Sequence, residues 1–218
     1  MTAIAPIVAD DEHGRTLARD VLRSGGVVAI PTDTVYGIAV ALDTVGGIER
    51  LFAVKRRAPE KSIALLIDDV RQAALLGLVT EAARLLAGAC WPGGLTLVLR
   101  QRDDVSFPGV LTGGAPTIGL RVPAHDAPRT LARAVGPLPT TSANVSGLPE
   151  APDALAVQAQ LGDAIDLVLD GGPSTSAAAS TVVDCSIERP RILRVGAIDP
   201  ARIEAVLDGA GVPHDVGR

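Results

Sequence analysis

Aromatic side chains are nearly missing from this chain. Tyr36, Phe52, Trp91 and Phe107 are all that occur in 218 residues. A platform for single-stranded nucleic acid needs several stacking rings, so that class is disfavoured. The core must be built from Ala, Val, Leu and Ile. Lysine is equally scarce: Lys55 and Lys61, six residues apart, are the only two, against 18 arginines. Cys90 and Cys185 lie far apart with no CxxC, and His13, His125 and His214 are scattered. Zinc-ligand spacing is therefore lacking, and both cysteines read as small buried hydrophobes. No apolar run reaches the length of a membrane span. The short apolar segment from Ile4 to Ala9 has no basic lead and runs into Asp10, Asp11 and Glu12, unlike a signal peptide. A cytoplasmic protein is expected. Net charge is −5, whereas a chain that coats nucleic acid is usually basic.

What is present is ordinary globular material, 47% apolar and 21% charged. A chain this long buries roughly 70% of its unfolded surface and needs no disulfide or metal to fold. Apolar periodicity predicts helices over 14–24, 44–55, 80–89, 128–136, 153–162 and 199–209, with a short one after Asp68 and Asp69. Thr44, Asp68 or Asp69, Thr80, Asp153 and Asp199 are candidate helix caps. Strands are expected over 27–30, 63–67, 95–100, 117–122, 165–169, 180–185 and 191–195. Because some neighbouring strands have no helix between them, the expectation is an α/β domain with a twisted mixed sheet and flanking helices. It should fill residues 1–210, with a loose tail over 211–218.

Several polar segments sit at the ends of apolar strands, while GxxxxGK[ST], GxGxxG, HExxH and GxSxG are all absent. Pro31-Thr32-Asp33-Thr34-Val35-Tyr36-Gly37 places two hydroxyls and a carboxylate after a buried strand, and Gly37 permits close backbone approach. An ordinary strand-to-loop turn would look the same. Lys55-Arg56-Arg57-Ala58-Pro59-Glu60-Lys61 puts four cations in seven positions. They either complement a helix C-terminus or converge on a polyanion such as a triphosphate. Thr140-Thr141-Ser142-Ala143-Asn144-Val145-Ser146-Gly147 is either a string of side-chain turns or a bank of hydrogen-bond donors for phosphate. Gly171 to Ser176 alone reads as a flexible loop. Arg121 and Arg194 lie among apolar neighbours on strands, on a solvated face or in a cationic cavity. The residues by themselves point to a small-molecule polyphosphate site of hydroxyls and cations, without an obvious catalytic acid, thiol or metal cage.

In this order the segments resemble the YrdC-type threonylcarbamoyl-AMP synthases. The carrying stretches are PTDTVYG at 31–37, KRR at 55–57 with Lys61, WPGGLTLVL at 91–99, TIGLRVPAH at 117–125, PTTSANVSG at 139–147, STVVD at 180–184 and ILRVGAI at 192–198. The resemblance covers about residues 15–208 and implies the short form of the family, lacking the extra C-terminal domain. It implies a single α/β domain with a deep cationic cavity, and a nucleotidyltransferase that makes threonylcarbamoyl-AMP and pyrophosphate from L-threonine, bicarbonate or CO2, and ATP. A partner transferase would then modify tRNA beside the anticodon, with at most a weak tRNA contact by this chain and none with membrane. Magnesium would travel with ATP. Residue by residue, Lys55, Arg57, Ser142 and Asn144 match the family's catalytic KxR and SxN set. Arg57, Lys61, Thr117, Ser142 and Arg194 fall where the family contacts ATP. Thr34, Arg121, Thr140 and Ser180 fall where it contacts threonine. Two positions depart from the family pattern: a His often found near the end of the strand after Lys61 is missing from Ser62-Ile63-Ala64-Leu65-Leu66, and Ala179 replaces a common Glu. A non-catalytic RNA-binding paralogue is the main alternative. A carbamoyl-phosphate module of the hydrogenase-maturation type is disfavoured by length and by missing zinc-finger motifs.

Overall fold

The computed structural model describes residues 4–55, 63–176 and 178–216. Among them ten strands form one sheet: β1 (Ile7–Ala9), β2 (Val28–Ile30), β3 (Gly37–Ala39), β4 (Ala64–Leu66), β5 (Leu95–Arg100), β6 (Thr117–Arg121), β7 (Leu138–Ser142), β8 (Leu167–Asp170), β9 (Thr181–Asp184) and β10 (Arg191–Arg194). The helices are α1 (Glu12–Arg23), α2 (Gly47–Lys55), α3 (Val70–Leu76), α4 (Glu81–Cys90), α5 (Gly109–Thr112), α6 (Asp126–Val135), α7 (Ala154–Leu161) and α8 (Pro200–Gly209). The sheet order is β1-β8-β2-β3-β7-β4-β6-β5-β9-β10. Parallel pairs such as β4–β6 and β5–β9 alternate with antiparallel ones such as β3–β7 and β5–β6, so the sheet is mixed, as the uneven element order predicted.

Helix starts follow local chemistry. The side chains of Asp11, Asp69, Thr80, Asp153 and Asp199 each accept a first-turn backbone N–H. Asp68 does not share the capping of α3. It takes the guanidinium of Arg133 at 2.7 Å, so its carboxylate ties α6 to the end of β4. Thr44 is not the cap of α2, which begins three residues later; its carbonyl closes the preceding turn by accepting Gly47 N–H at 3.1 Å. The expected loose tail is pinned as far as Val216, whose side chain is buried in the core. Val212 N–H bonds Leu207 O, and Asp215 N–H bonds Pro190 O.

Strand alternation splits the sheet by face. Ala29, Ile38, Leu65, Leu97, Ile118, Leu120, Val168 and Val183 point into the larger core, which also holds apolar residues of α2, α4, α7 and α8. Val28, Ile30, Ala39, Leu138, Leu167 and Leu169 point the other way, into a smaller core with α1 and α6. That second core covers the β1-β8-β2-β3-β7 side and reaches β4 only through Leu66. Further along, on β7, β4, β6, β5 and β9, the same face carries hydroxyls, glycine and arginine interspersed with Ala64, Val98 and Val182.

Candidate active site

These outward positions form the floor of a cavity of about 310 Å3. It takes Ala64 and Leu66 from β4, Thr96 and Val98 from β5, Thr117, Gly119 and Arg121 from β6, and Thr140 and Ser142 from β7. Ser180 and Val182 line it at β9, Arg194 at β10, and Thr32, Thr34 and Tyr36 in the loop after β2. Period-two spacing on each strand delivers these side chains to one side. Both departures from the family pattern fall in this lining: Leu66 in the segment without the His, and Ala179 in place of the Glu.

Arg121 is almost fully buried and held from three sides. Its Nε donates to Gly93 O at 3.0 Å, Nη1 to Thr34 Oγ1 at 2.8 Å and Nη2 to Asp33 Oδ1 at 2.7 Å. Burial pushes the guanidinium below its ordinary pKa, Asp33 opposes that, and nearby Arg194 adds to it. Thr32 Oγ1 donates to Val35 O, so Thr34 is the donor in the 3.0 Å Thr32–Thr34 contact and the acceptor from Arg121.

On the far side, Arg194 Nη2 donates to Ser180 Oγ at 3.1 Å, and Ser180 Oγ lies 2.8 Å from Thr96 Oγ1. The neighbouring Thr181 hydroxyl is used internally. It donates to Ile198 O and accepts from the N–H groups of Gly196 and Ile198, fastening the turn after β10. A Cβ on Gly196 would lie 2.2 Å from Ala179 O, so only glycine fits that crossing.

Lys55, at the end of α2, is buried behind the cavity wall. Its ammonium donates to Ser142 O at 2.7 Å, to Asn144 Oδ1 at 2.7 Å and to Asn144 O. Ser142 Oγ donates to Asn144 Oδ1 at 2.7 Å, and Asn144 Nδ2 to Leu148 O at 2.6 Å. A compact three-donor ammonium suits this converging set of acceptors better than a planar guanidinium would. Tyr36 closes another wall. Its hydroxyl donates to Gly172 O at 2.7 Å and accepts from Gly171 N–H, which docks the glycine loop that the sequence reads as flexible. Burial pushes the Tyr36 phenol up to about 12.

The fold thus brings Thr34, Thr117, Arg121, Thr140, Ser142, Ser180 and Arg194 to one cavity. Lys55 and Asn144 stand behind Ser142. Arg57 and Lys61 lie outside the described residues. Sequence reasoning did not single out Asp33, Thr96 or Glu150. Thr96 and Glu150 line the cavity and Asp33 grips Arg121. Asp33 and Thr96 lie inside quoted stretches, but which partner each meets depends on β5, β6 and β9 being neighbours.

Residues 20–196 match the Sua5/YciO/YrdC family, described as Telomere recombination. The chain belongs to this family. A Mycobacterium leprae protein is 37% identical to it over 200 residues, 90% of each chain. The Bacillus subtilis threonylcarbamoyl-AMP synthase is 36% identical over 192 residues, 87% of this chain and 55% of its own. The structure of Pyrococcus abyssi Sua5 complexed with L-threonine matches with a TM-score of 0.88 at 32% identity. That match covers 97% of this chain and 62% of the archaeal one. The chain spans 55% of the Bacillus subtilis protein and 62% of the archaeal one.

Proposed function

We propose that this Sua5/YciO/YrdC protein is an L-threonylcarbamoyladenylate synthase. The observation that carries the reading is the cavity floor: hydroxyls and two arginines on one sheet face, in a fold that in Pyrococcus abyssi Sua5 is complexed with L-threonine. The threonine amine takes up CO2 with loss of a proton, or bicarbonate with loss of water, to give a carbamate. A carbamate oxygen attacks the α-phosphorus of ATP, the bond to the β-phosphate oxygen breaks, and pyrophosphate leaves. Negative charge grows on the α-phosphoryl oxygens and the leaving group, where fixed cations and hydroxyl donors lower the barrier. Positioning supplies much of the remainder.

In this reading the Arg121 N–H groups not taken by Gly93, Thr34 and Asp33 receive the threonine carboxylate, with Thr140 and Ser180 beside it. Thr117, Ser142 and Arg194 face the nucleotide, and the family resemblance assigns ATP contacts to Arg57 and Lys61 as well. Lys55 and Asn144 hold Ser142 in place. Magnesium fits as a passenger of the triphosphate. Glu150 is the one carboxylate among the described lining residues, and no group of three His, Cys, Asp or Glu there could cage a metal. The product would pass to a transferase acting on tRNA in the cytoplasm. No helix among the described residues is long and apolar enough to cross a membrane.

The test is pyrophosphate release by purified protein with Mg-ATP, bicarbonate and L-threonine, with threonylcarbamoyl-AMP identified by mass. Omitting bicarbonate, or replacing threonine by alanine, should remove most of the signal. Tight RNA binding without threonine-dependent release would favour the non-catalytic paralogue.

A further inference from the structure

Asp33 does not line the cavity, yet it is the partner that fixes the most buried cation in it. Its side chain is 16% exposed and that of Arg121 is 7% exposed, with 2.7 Å between Oδ1 and Nη2. The same Oδ1 accepts Ala124 N–H at 2.9 Å, which fastens the carboxylate to the segment that continues beyond β6. The backbone of Asp33 is fixed from the other side, its carbonyl accepting from Thr175 Oγ1 at 3.1 Å. Asp33 is thus rigid at both ends. The guanidinium it grips is left with no freedom to turn, because Gly93 O and Thr34 Oγ1 hold the remaining edges. The charge also matters. Arg121 is desolvated and lies close enough to Arg194 to feel it, so an uncompensated guanidinium would swing toward solvent or draw water into the floor.

We propose that Asp33 is the positioning residue for Arg121, holding the guanidinium so that its free N–H groups meet the carboxylate of the amino-acid substrate. This rests on the threonine-side reading of Arg121. It makes Asp33 a determinant of amino-acid binding and not of nucleotide binding, because Arg121 is the one cavity-lining side chain that its carboxylate holds.

Pyrophosphate release by the unmutated chain is measured first, and its failure would count against the functional reading itself. The proposal is then read from L-threonine binding by calorimetry and from steady-state kinetics. Asp33→Ala should weaken threonine binding by about 10-fold or more, the range for a lost hydrogen bond to a charged group. KM for ATP and kcat at saturating threonine should stay within about 3-fold of the unmutated enzyme, since neither depends on the Arg121 fork. Asp33→Asn keeps an Oδ1 acceptor for Arg121 and Ala124 and should fall between the two. In an Arg121→Ala background, removing Asp33 should change threonine binding by less than about 2-fold, the coupling expected of residues that act as one unit. Equal losses in both backgrounds, or a rise in KM for ATP as large as that for threonine, would overturn the proposal. If Asp33→Ala does not fold, Asp33→Asn runs the same cycle and is judged by the same two outcomes.

Discussion

At the scale of single residues, Ser142 and Asn144 share a motif but do different work, and variants separate them. Ser142 touches the cavity, whereas Asn144 accepts from Lys55 and Ser142 and donates to Leu148 O. Ser142→Ala should lower kcat/KM by roughly 10- to 150-fold with little change in Tm, the cost of one hydrogen bond to a charged group. Asn144→Ala should lower both, because it leaves a buried ammonium short of an acceptor, at about 1–3 kcal/mol of stability. Melting curves beside the pyrophosphate assay decide this; a stable, fully active Asn144→Ala enzyme would show that the clamp is dispensable. Tyr36 gives a pH prediction. Burial is the main cause of its raised pKa, the N–H of Gly171 opposes it, and the charge of Asp170 adds to it. The folded phenol keeps its proton to about pH 12, the unfolded one to about pH 10. Its contribution to stability is complete below pH 10 and is lost as pH rises from 10 toward 12, because the unfolded chain releases a proton that the folded chain retains. Cys185, raised to about 12 by burial and by Asp184, acts in the same direction from about pH 9. As the chain has one tyrosine, ultraviolet titration reports this residue alone. Tyr36→Phe should flatten the stability slope between pH 10 and 12 and leave the Cys185 part.

Elements were legible where a side chain announces them and hidden where only pairing makes them. Asp69, Thr80, Asp153 and Asp199 marked the starts of α3, α4, α7 and α8 from the sequence, because a short polar side chain before an apolar run satisfies first-turn N–H groups. β1, β3 and α5, at three, three and four residues, are too short for a period to show. β3 exists because β2 and β7 flank it, and of these β7 is far from Gly37-Ile38-Ala39 in the chain. Two glycines on these strands make opposite predictions. At Gly37 an added Cβ would lie 2.6 Å from Thr140 Cγ2, so Gly37→Ala should wedge β3 from β7, displace Ser142 and reduce both Tm and activity. At Gly119 the new methyl would sit 3.5 Å from Thr96 Cγ2 and 3.6 Å from Ala64 Cβ, which is ordinary contact. Gly119→Ala should therefore leave Tm unchanged, or raise it through the lost entropy of the unfolded chain, worth about 0.4–1 kcal/mol. The methyl still occupies cavity floor, so KM for substrate should rise by roughly 10-fold. Paired melting and kinetic measurements test both, and a Gly119→Ala enzyme with unchanged KM would show that no ligand reaches the floor at β6.

At the scale of the whole molecule, the site exists because the sheet is half covered on one face. α1 and α6 close the face over β8, β2, β3 and part of β7, and the remainder is left open, lined by hydroxyls and arginines among small apolar side chains. The mixed sheet was legible from the element order, and hydroxyls and cations were legible from local composition, but the spread of the cavity floor over a sheet face, beyond the strand ends, was not. The ion pair of Arg121 with Asp33 and the burial of Lys55 were not, because their partners lie 88 and 89 residues away in sequence. The Lys55 clamp spans the layers, joining the end of α2 on one face to the end of β7 in the sheet. Lys55 is 3% exposed, and its ammonium is held by Ser142 and Asn144. Lys55 should therefore resist amine acylation in the folded protein and react only as the whole structure opens. For a domain of ordinary stability, some 5–15 kcal/mol, this means protection of a thousandfold or more relative to the denatured chain. Peptide mapping by mass spectrometry after mild acylation, with and without denaturant, measures this directly. Asn144→Ala should shorten the protection before the global melting point is reached, because the clamp opens before the core does. Acylation of Lys55 in the native protein at the denatured-chain rate would mean that the ammonium is not held. The tie between α2 and β7 would then have to come from apolar packing alone.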